Sequence, residues 1–140
     1  MNNGVAYTFH ERPPSKAEYI NLYQAVGWEK FLAQDHVETL LERSLHHVVA
    51  LHAETLVGMG RVVGDGAMFF YIQDVAVHPA HQHRGIGQGV TERLVNWCKH
   101  NAPPMAFVGL FCAERSKAFY ETFSFKANAV GMYQYLGRKE

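Results

Sequence analysis

The sequence predicts a single α+β domain built on a mixed, mostly antiparallel central sheet flanked by helices. Three observations carry that prediction. The length, 140 residues, fits one domain with one core. Runs rich in β-formers are interleaved with amphipathic runs of helical period. Between two of the β-rich runs lies a helix-length stretch opened by glycines, which reads as one strand–helix–strand crossover. Composition narrows the function. Hydrophobic residues make up 48% and charged residues 19%, with Lys+Arg 13 balanced by Asp+Glu 13, so the electrostatic signature of a nucleic-acid or membrane-surface binder is missing.

The elements follow in order. Residues 5–11 (VAYTFHE) are β-rich and end at Pro13-Pro14, after which Ser15 and Glu18 form the S-x-x-E pattern of a capping box. A helix is predicted over 15–25, stopping near Gly27. A second is predicted over 30–45, where Phe31, Val37, Leu40 and Leu41 recur at roughly helical spacing. Three strands, at 46–53, 56–63 and 68–77, are separated by turns at Glu54-Thr55 and Gly64-Asp65-Gly66 and read as an antiparallel meander. A helix over 85–100 carries Val90, Leu94, Val95 and Trp97 and ends at residues 101–104. Then come a strand at 106–112, a short helix at 116–123 and a closing strand at 129–136, giving the order βααβββαβαβ.

Cys98 and Cys112 show no metal or redox spacing, and the first residues, MNNGVAYTFHERPP, carry neither a basic nor an apolar targeting pattern. A reducing cytoplasm is the expected compartment. His78, His81 and His83 lie in H-P-A-H-x-H, but Pro79 and the irregular spacing argue for solvated loop histidines, so no metal is expected.

The informative stretch is HQHRGIGQGV (81–90), with glycines at alternate positions. Glycine without a Cβ lets something approach the backbone and tolerates positive φ. Counted from Gly85, the sixth position of a dinucleotide fingerprint is Val90, and no G-x-x-x-x-G-K-[ST] run occurs. What remains is Q-x-x-G-x-G, from Gln82 to Gly87, between the strand YIQDVAVHP and a helix. A helix start has unsatisfied N–H groups and a positive dipole end, and glycines in its first turn let a pyrophosphate settle on them.

That segment resembles motif A of the GNAT N-acetyltransferases, and SKAFYETFSF (116–125) is similar to the family's second signature, A-x-x-F-Y-x-x-x-G-F. The two stand in the family order, and the resemblance covers nearly the whole chain. It implies the GNAT (acyl-CoA N-acyltransferase) fold over 1–140 as one domain, with splayed parallel strands at an acetyl-CoA site and no metal. It implies that Gln82, His83, Arg84, Gly85, Ile86, Gly87 and Gln88 hold the diphosphate of coenzyme A. Backbone groups of Val75, Ala76 and Val77 would then bond the pantetheine arm and acetyl carbonyl, with the Val77 N–H as oxyanion donor. Tyr120 matches the tyrosine that protonates the departing sulfur in many relatives; an unperturbed phenol, with pKa near ~10, is protonated at neutral pH. Asp74 either relays the amine proton through water or belongs to a structural ion pair. Trp28 and Phe31, with Tyr23 upstream, either roof the acceptor pocket or are core aromatics. Two positions depart from the pattern: Ala113 replaces a frequent Asn, and Ser124 replaces the Gly of the second signature, which changes only a turn.

The expected function is transfer of acetyl from acetyl-CoA to a primary amine of a small metabolite in a ternary complex, by a cytoplasmic homodimer. A protein-tail acetyltransferase would want a longer acidic groove, and the chain has no acidic cluster. The alternatives are a catalytically silent acyl-CoA-binding sensor and a phosphate-binding regulatory domain that prefers nucleotide.

Overall fold

The computed structural model describes residues 6–137. The chain divides into two units, residues 1–110 and residues 111–140. The first is built on a five-stranded sheet in which β1 (Tyr7–His10), β2 (His46–His52), β3 (Thr55–Gly64), β4 (Phe69–Val77) and β5 (Phe107–Gly109) lie side by side in chain order. Pairing is antiparallel from β1 to β4, as the predicted meander requires, and β5 is parallel to β4. A parallel neighbour needs a crossover, and the helix supplying it, α3 (Ile86–Asn101), lies between those two strands in the chain.

Two helices precede β2: α1 (Lys16–Ala25) and α2 (Val37–Arg43). The capping box that opens α1 is formed on both sides: the Glu18 N–H donates to the Ser15 hydroxyl at 3.1 Å and the Ser15 N–H donates to the Glu18 carboxylate at 2.8 Å. Tyr19, Leu22 and Tyr23 of α1 are buried with Val37, Val49, Leu56, Met59 and Ala76. The opposite face of the sheet takes α3. A Cβ built on Gly60 would lie 2.7 Å from Leu94 and 2.9 Å from Val90, whereas neighbouring Met59 packs with α1. Successive strand residues point to opposite faces, so the sheet is sandwiched between α1 and α3.

The predicted helix over 30–45 is corrected. Residues Glu29–Phe31 and Gln34–His36 are single 3₁₀ turns, and the α-helix begins only at Val37. Trp28, Leu32, Leu40 and Leu41 all pack on the core, but the five-residue step from Leu32 to Val37 breaks helical period, and the chain is extended at Leu32 and Ala33 to bring both sides inward.

In the second unit a 3₁₀ turn, Glu114–Ser116, leads into α4 (Lys117–Glu121), shorter than the predicted 116–123. The following turn is closed by bonds from the Phe123 N–H to the Tyr120 carbonyl and from the Ser124 N–H to the Glu121 carbonyl, with Ser124 at φ +70°. The predicted strands at 106–112 and 129–136 are also corrected: the first is three residues long, and the second has no ladder partner among the described residues. Val130, Met132 and Tyr133 are β-compatible or apolar, yet a strand exists only where another edge completes its hydrogen bonds, and these side chains are exposed.

Candidate functional site

Three glycines at the start of α3 are there for three different reasons. Gly85 is the N-cap at φ +80°, a left-handed conformation that a side chain resists. Gly89, one turn in, lies under the Phe9 ring: a Cβ there would come within 2.4 Å of it. Gly87 has neither constraint. Its φ is ordinary, and among the described residues a built Cβ would meet only Val77 Cγ2, at 3.7 Å. Nothing among the described residues requires glycine at this position, so its open surface is available to something else. The helix offers donors there, because the first intrahelical bond runs from the Gly89 N–H to the Gly85 carbonyl and no side chain caps the end. The N–H groups of Ile86, Gly87 and Gln88 therefore lack intrahelical acceptors.

The segment before the cap orients this end. His83 is left-handed at φ +63°. Gln82, His83, Arg84 and Gln88 are exposed, while Ile86 is buried, its Cγ2 filling the space that a Cβ on Gly58 would occupy. The Arg84 guanidinium reaches the Tyr7 hydroxyl at 3.3 Å, and that hydroxyl is 2.9 Å from His81 Nδ1. Burial and the neighbouring His52 and His78 hold the His81 pKa below its usual value. Among the described residues no group of three His, Cys, Asp or Glu side chains is placed to hold a metal ion.

Strand β4 is paired with β5 only at Phe69–Phe107, Phe70–Val108 and Tyr71–Gly109. Beyond Tyr71 the two strands part, as the splayed arrangement predicts, and residues 72–77 keep only β3 as a neighbour in the sheet. The separation coincides with a β-bulge. Met59 faces Ala76 and Arg61 faces Gln73, so Asp74 and Val75 together oppose Gly60. Gly60 suits that position because a Cβ on it would lie 3.2 Å from the Val75 side chain. Asp74 takes φ +60°, a left-handed value that Asp tolerates better than most residues.

The bulge changes which backbone groups look outward. The His78 N–H donates to the Val57 carbonyl at 2.8 Å, so the adjacent Gly58–Val77 pair is the non-hydrogen-bonded kind. The Val77 N–H accordingly points away from β3, toward the side that β5 has vacated. Ala76 alternates with it, pairing its backbone with Met59 and burying its side chain in the α1 core.

Asp74 is buried on the α1 face, its side chain 2% exposed. One carboxylate oxygen accepts from the Tyr19 hydroxyl at 2.5 Å and from Arg61 Nε at 2.8 Å; the other accepts from the Tyr23 hydroxyl at 2.6 Å and from the Gln73 amide at 3.2 Å. Arg61 also donates to the Ser44 hydroxyl at 3.0 Å. Burial, followed by the charge of Asp74, pushes both tyrosine pKa values well above the ordinary phenol range, so both hydroxyls are held as donors. Of the two roles open to Asp74, the ion pair is the one visible here. Sequence reasoning missed Tyr19 and Arg61. The available signal was Tyr19 and Tyr23 at i, i+4 on one helix face, opposite an acid set among apolar strand residues.

Trp28 packs edge-on against Tyr23 at 5.4 Å between ring centroids and lies on the core. Phe31 is 42% exposed, with the Lys30 ammonium 5.2 Å from its ring centroid. In the second unit Tyr120 is held edge-on by Phe119 at 5.0 Å and Phe125 at 6.2 Å. Burial, with a smaller contribution from Cys112, raises the Tyr120 pKa above its usual value, which keeps the phenol protonated.

With this geometry in view, the kinship is informative. The acetyltransferase (GNAT) family model matches residues 8–125. Among solved structures, a protein of unknown function from methicillin-resistant Staphylococcus aureus, described as a probable acetyltransferase, superposes with TM-score 0.85 at 26% identity, covering 93% of this chain and 99% of that one. A GNAT family acetyltransferase from Streptococcus pneumoniae gives TM-score 0.78 at 28% identity, covering 95% and 100%. The histone acetyltransferase TAP1 of Glycine max is 27% identical over 121 residues, which is 79% of this chain but 52% of that protein, so the chain spans about half of that relative's length. The match of the family model over most of the chain, on a sheet that splays beside an open helix start, makes this protein a member of the GNAT acetyltransferase family.

Proposed function

We propose that the chain, acting as one domain, transfers the acetyl group of acetyl-CoA to a primary amine of a small molecule. The observation that carries this reading is Gly87, a helix-start glycine that no atom of the described residues demands, beside three N–H groups without intrahelical acceptors. Such an end suits a pyrophosphate. In this reading the N–H groups of Ile86, Gly87 and Gln88 hold the diphosphate, and Gln82, His83 and Arg84 line the approach. Val75 and Ala76 flank the pantetheine arm, and the Val77 N–H polarises the acetyl carbonyl, which is the usual means of stabilising charge that develops there. Tyr120, kept protonated by burial, donates to the departing sulfur. Trp28 and Phe31 bound the amine. Asp74 already accepts four hydrogen bonds, as many as a carboxylate has lone-pair sites, which favours leaving the amine proton to water.

A second reading draws on the soybean relative, whose name gives a histone as substrate. It makes the acceptor a protein lysine. Incubating the protein with acetyl-CoA and, in parallel, a panel of small amines and a set of lysine-bearing histone-tail peptides distinguishes the two. Release of free thiol with small amines alone is the expected result. Release with peptides alone selects the second reading, and acetyl-CoA binding without turnover selects the silent sensor. We further propose a cytoplasmic homodimer, which gel filtration with light scattering and fractionation of cells test.

A further inference from the structure

Resting on the acetyl-CoA reading above, we propose that Asp74 is a positioning residue for the acyl donor. Its carboxylate, held by Tyr19, Tyr23 and Arg61, fixes the left-handed turn of the β4 bulge and so keeps the Val77 N–H facing the open side of the strand.

The register shows what depends on the bulge. Phe70 stacks edge-on with Trp97 of α3, whereas Asp74 bonds to Tyr19 and Tyr23 of α1. Both positions are even-numbered and would share a face in a regular strand, so the extra residue of the bulge is what moves Asp74 across the sheet. If the bulge were ironed out with Arg61 still opposite Gln73, Val77 would face Val57. The Val57 carbonyl is the one that now accepts from His78, so Val77 would donate to it and no longer present its N–H outward.

The same slip would carry Asp74 off the α1 face toward the Leu94 and Val90 side chains that press on Gly60. A carboxylate stripped of its partners in such surroundings is strongly disfavoured. Beyond Gln73 on its own strand, its present partners come from two other elements: the tyrosines from one helix, and Arg61 from the strand across the bulge. That network ties the bulge to α1 and β3 together and opposes relaxation of the left-handed φ. The role involves no proton transfer, and the acyl donor touches Asp74 at no step.

The test separates the two ends of the donor. ADP carries a pyrophosphate but no thioester arm, so its affinity reports on the start of α3 alone. Asp74→Gly preserves the freedom to adopt positive φ and removes the anchor. In calorimetry it should weaken acetyl-CoA by about tenfold, the upper end for one neutral hydrogen bond, with ADP affinity unchanged. Tyr23→Phe, which deletes one donor of the network, should give the same selective loss at about twofold. It carries the comparison if Asp74→Gly does not fold. A general loss of structure would weaken both ligands in parallel, and that result, or unchanged acetyl-CoA affinity in folded variants, overturns the proposal alone. Wild-type protein that binds neither ligand overturns the acetyl-CoA reading and this proposal with it.

Discussion

The start of α3 and the bulge of β4 treat their polar groups in opposite ways. At the helix start, three backbone donors have no intrahelical acceptor and a glycine leaves its Cβ volume vacant. At the bulge, a buried carboxylate has each of its acceptor sites engaged by a donor from the protein. Buried or not, polar groups that a fold needs for itself are paired within it. The contrast teaches how to sort polar residues near a strand end. Those left over are available to a ligand, and those fully engaged are part of the fold's own frame.

The largest effect should come from filling the vacant side of that contrast. Gly87→Val places branched carbon over the open N–H groups while the nearest protein atom to its Cβ is an ordinary contact away. Losing several charge-assisted bonds should weaken acetyl-CoA by roughly 10³-fold, with the melting temperature little changed. Calorimetry and thermal denaturation measure the pair, and a folded variant of undiminished affinity breaks the comparison at its first term.

Next are the tyrosines. Tyr120→Phe keeps the ring between Phe119 and Phe125 and deletes the hydroxyl. The turnover number should fall by about 10²-fold at unchanged acetyl-CoA affinity and stability, within the range of general acid catalysis. Because the Tyr120 pKa is raised, the phenol remains protonated through neutral pH and above its ordinary range, so wild-type activity should show no alkaline loss from this group at pH 7 to 9. Tyr23→Phe should behave in the inverse manner. Removing one bond to a buried charge should cost about 1.5–3 kcal/mol of folding stability, read from denaturant midpoints, with turnover much less affected.

The smallest effect concerns a residue in neither region. Ser124 stands at φ +70° where the family pattern has glycine. Ser124→Gly should therefore gain about 1 kcal/mol in denaturant unfolding, because a non-glycine residue in the left-handed region carries a strain of that order. An unchanged or lowered midpoint would mean that the turn relieves the strain by other means.

Much of the frame was legible because local chemistry encodes it. Ser15 and Glu18 announce the first helix, and Gly64-Asp65-Gly66 separates two strands that do pair as a hairpin. Alternate glycines mark the helix start, although only the folded structure distinguishes conformation at Gly85, vacancy at Gly87 and packing against Phe9 at Gly89. What was not legible depends on distant partners. The break at Leu32 follows from where the core lies, and residues 129–136 show that β-forming side chains do not themselves supply a neighbouring strand edge. The bulge was hidden for the same reason. Burial alternates regularly along β4, so the strand reads as uniform, and only its partners on β3, α1 and α3 reveal that it changes face.

The open first turn of α3 has a consequence for hydrogen exchange. Its 86–88 amides, lacking intrahelical acceptors, should exchange with solvent deuterium early, whereas those of Val90 and Leu94, one and two turns on and both clamped against Gly60 of β3, should be among the last. A deuterium profile along this single helix would thus step from fast to slow within one turn. A ligand that settles on the helix start would move the step back to Gly85, drawing its own outline in protected amides before any turnover is measured.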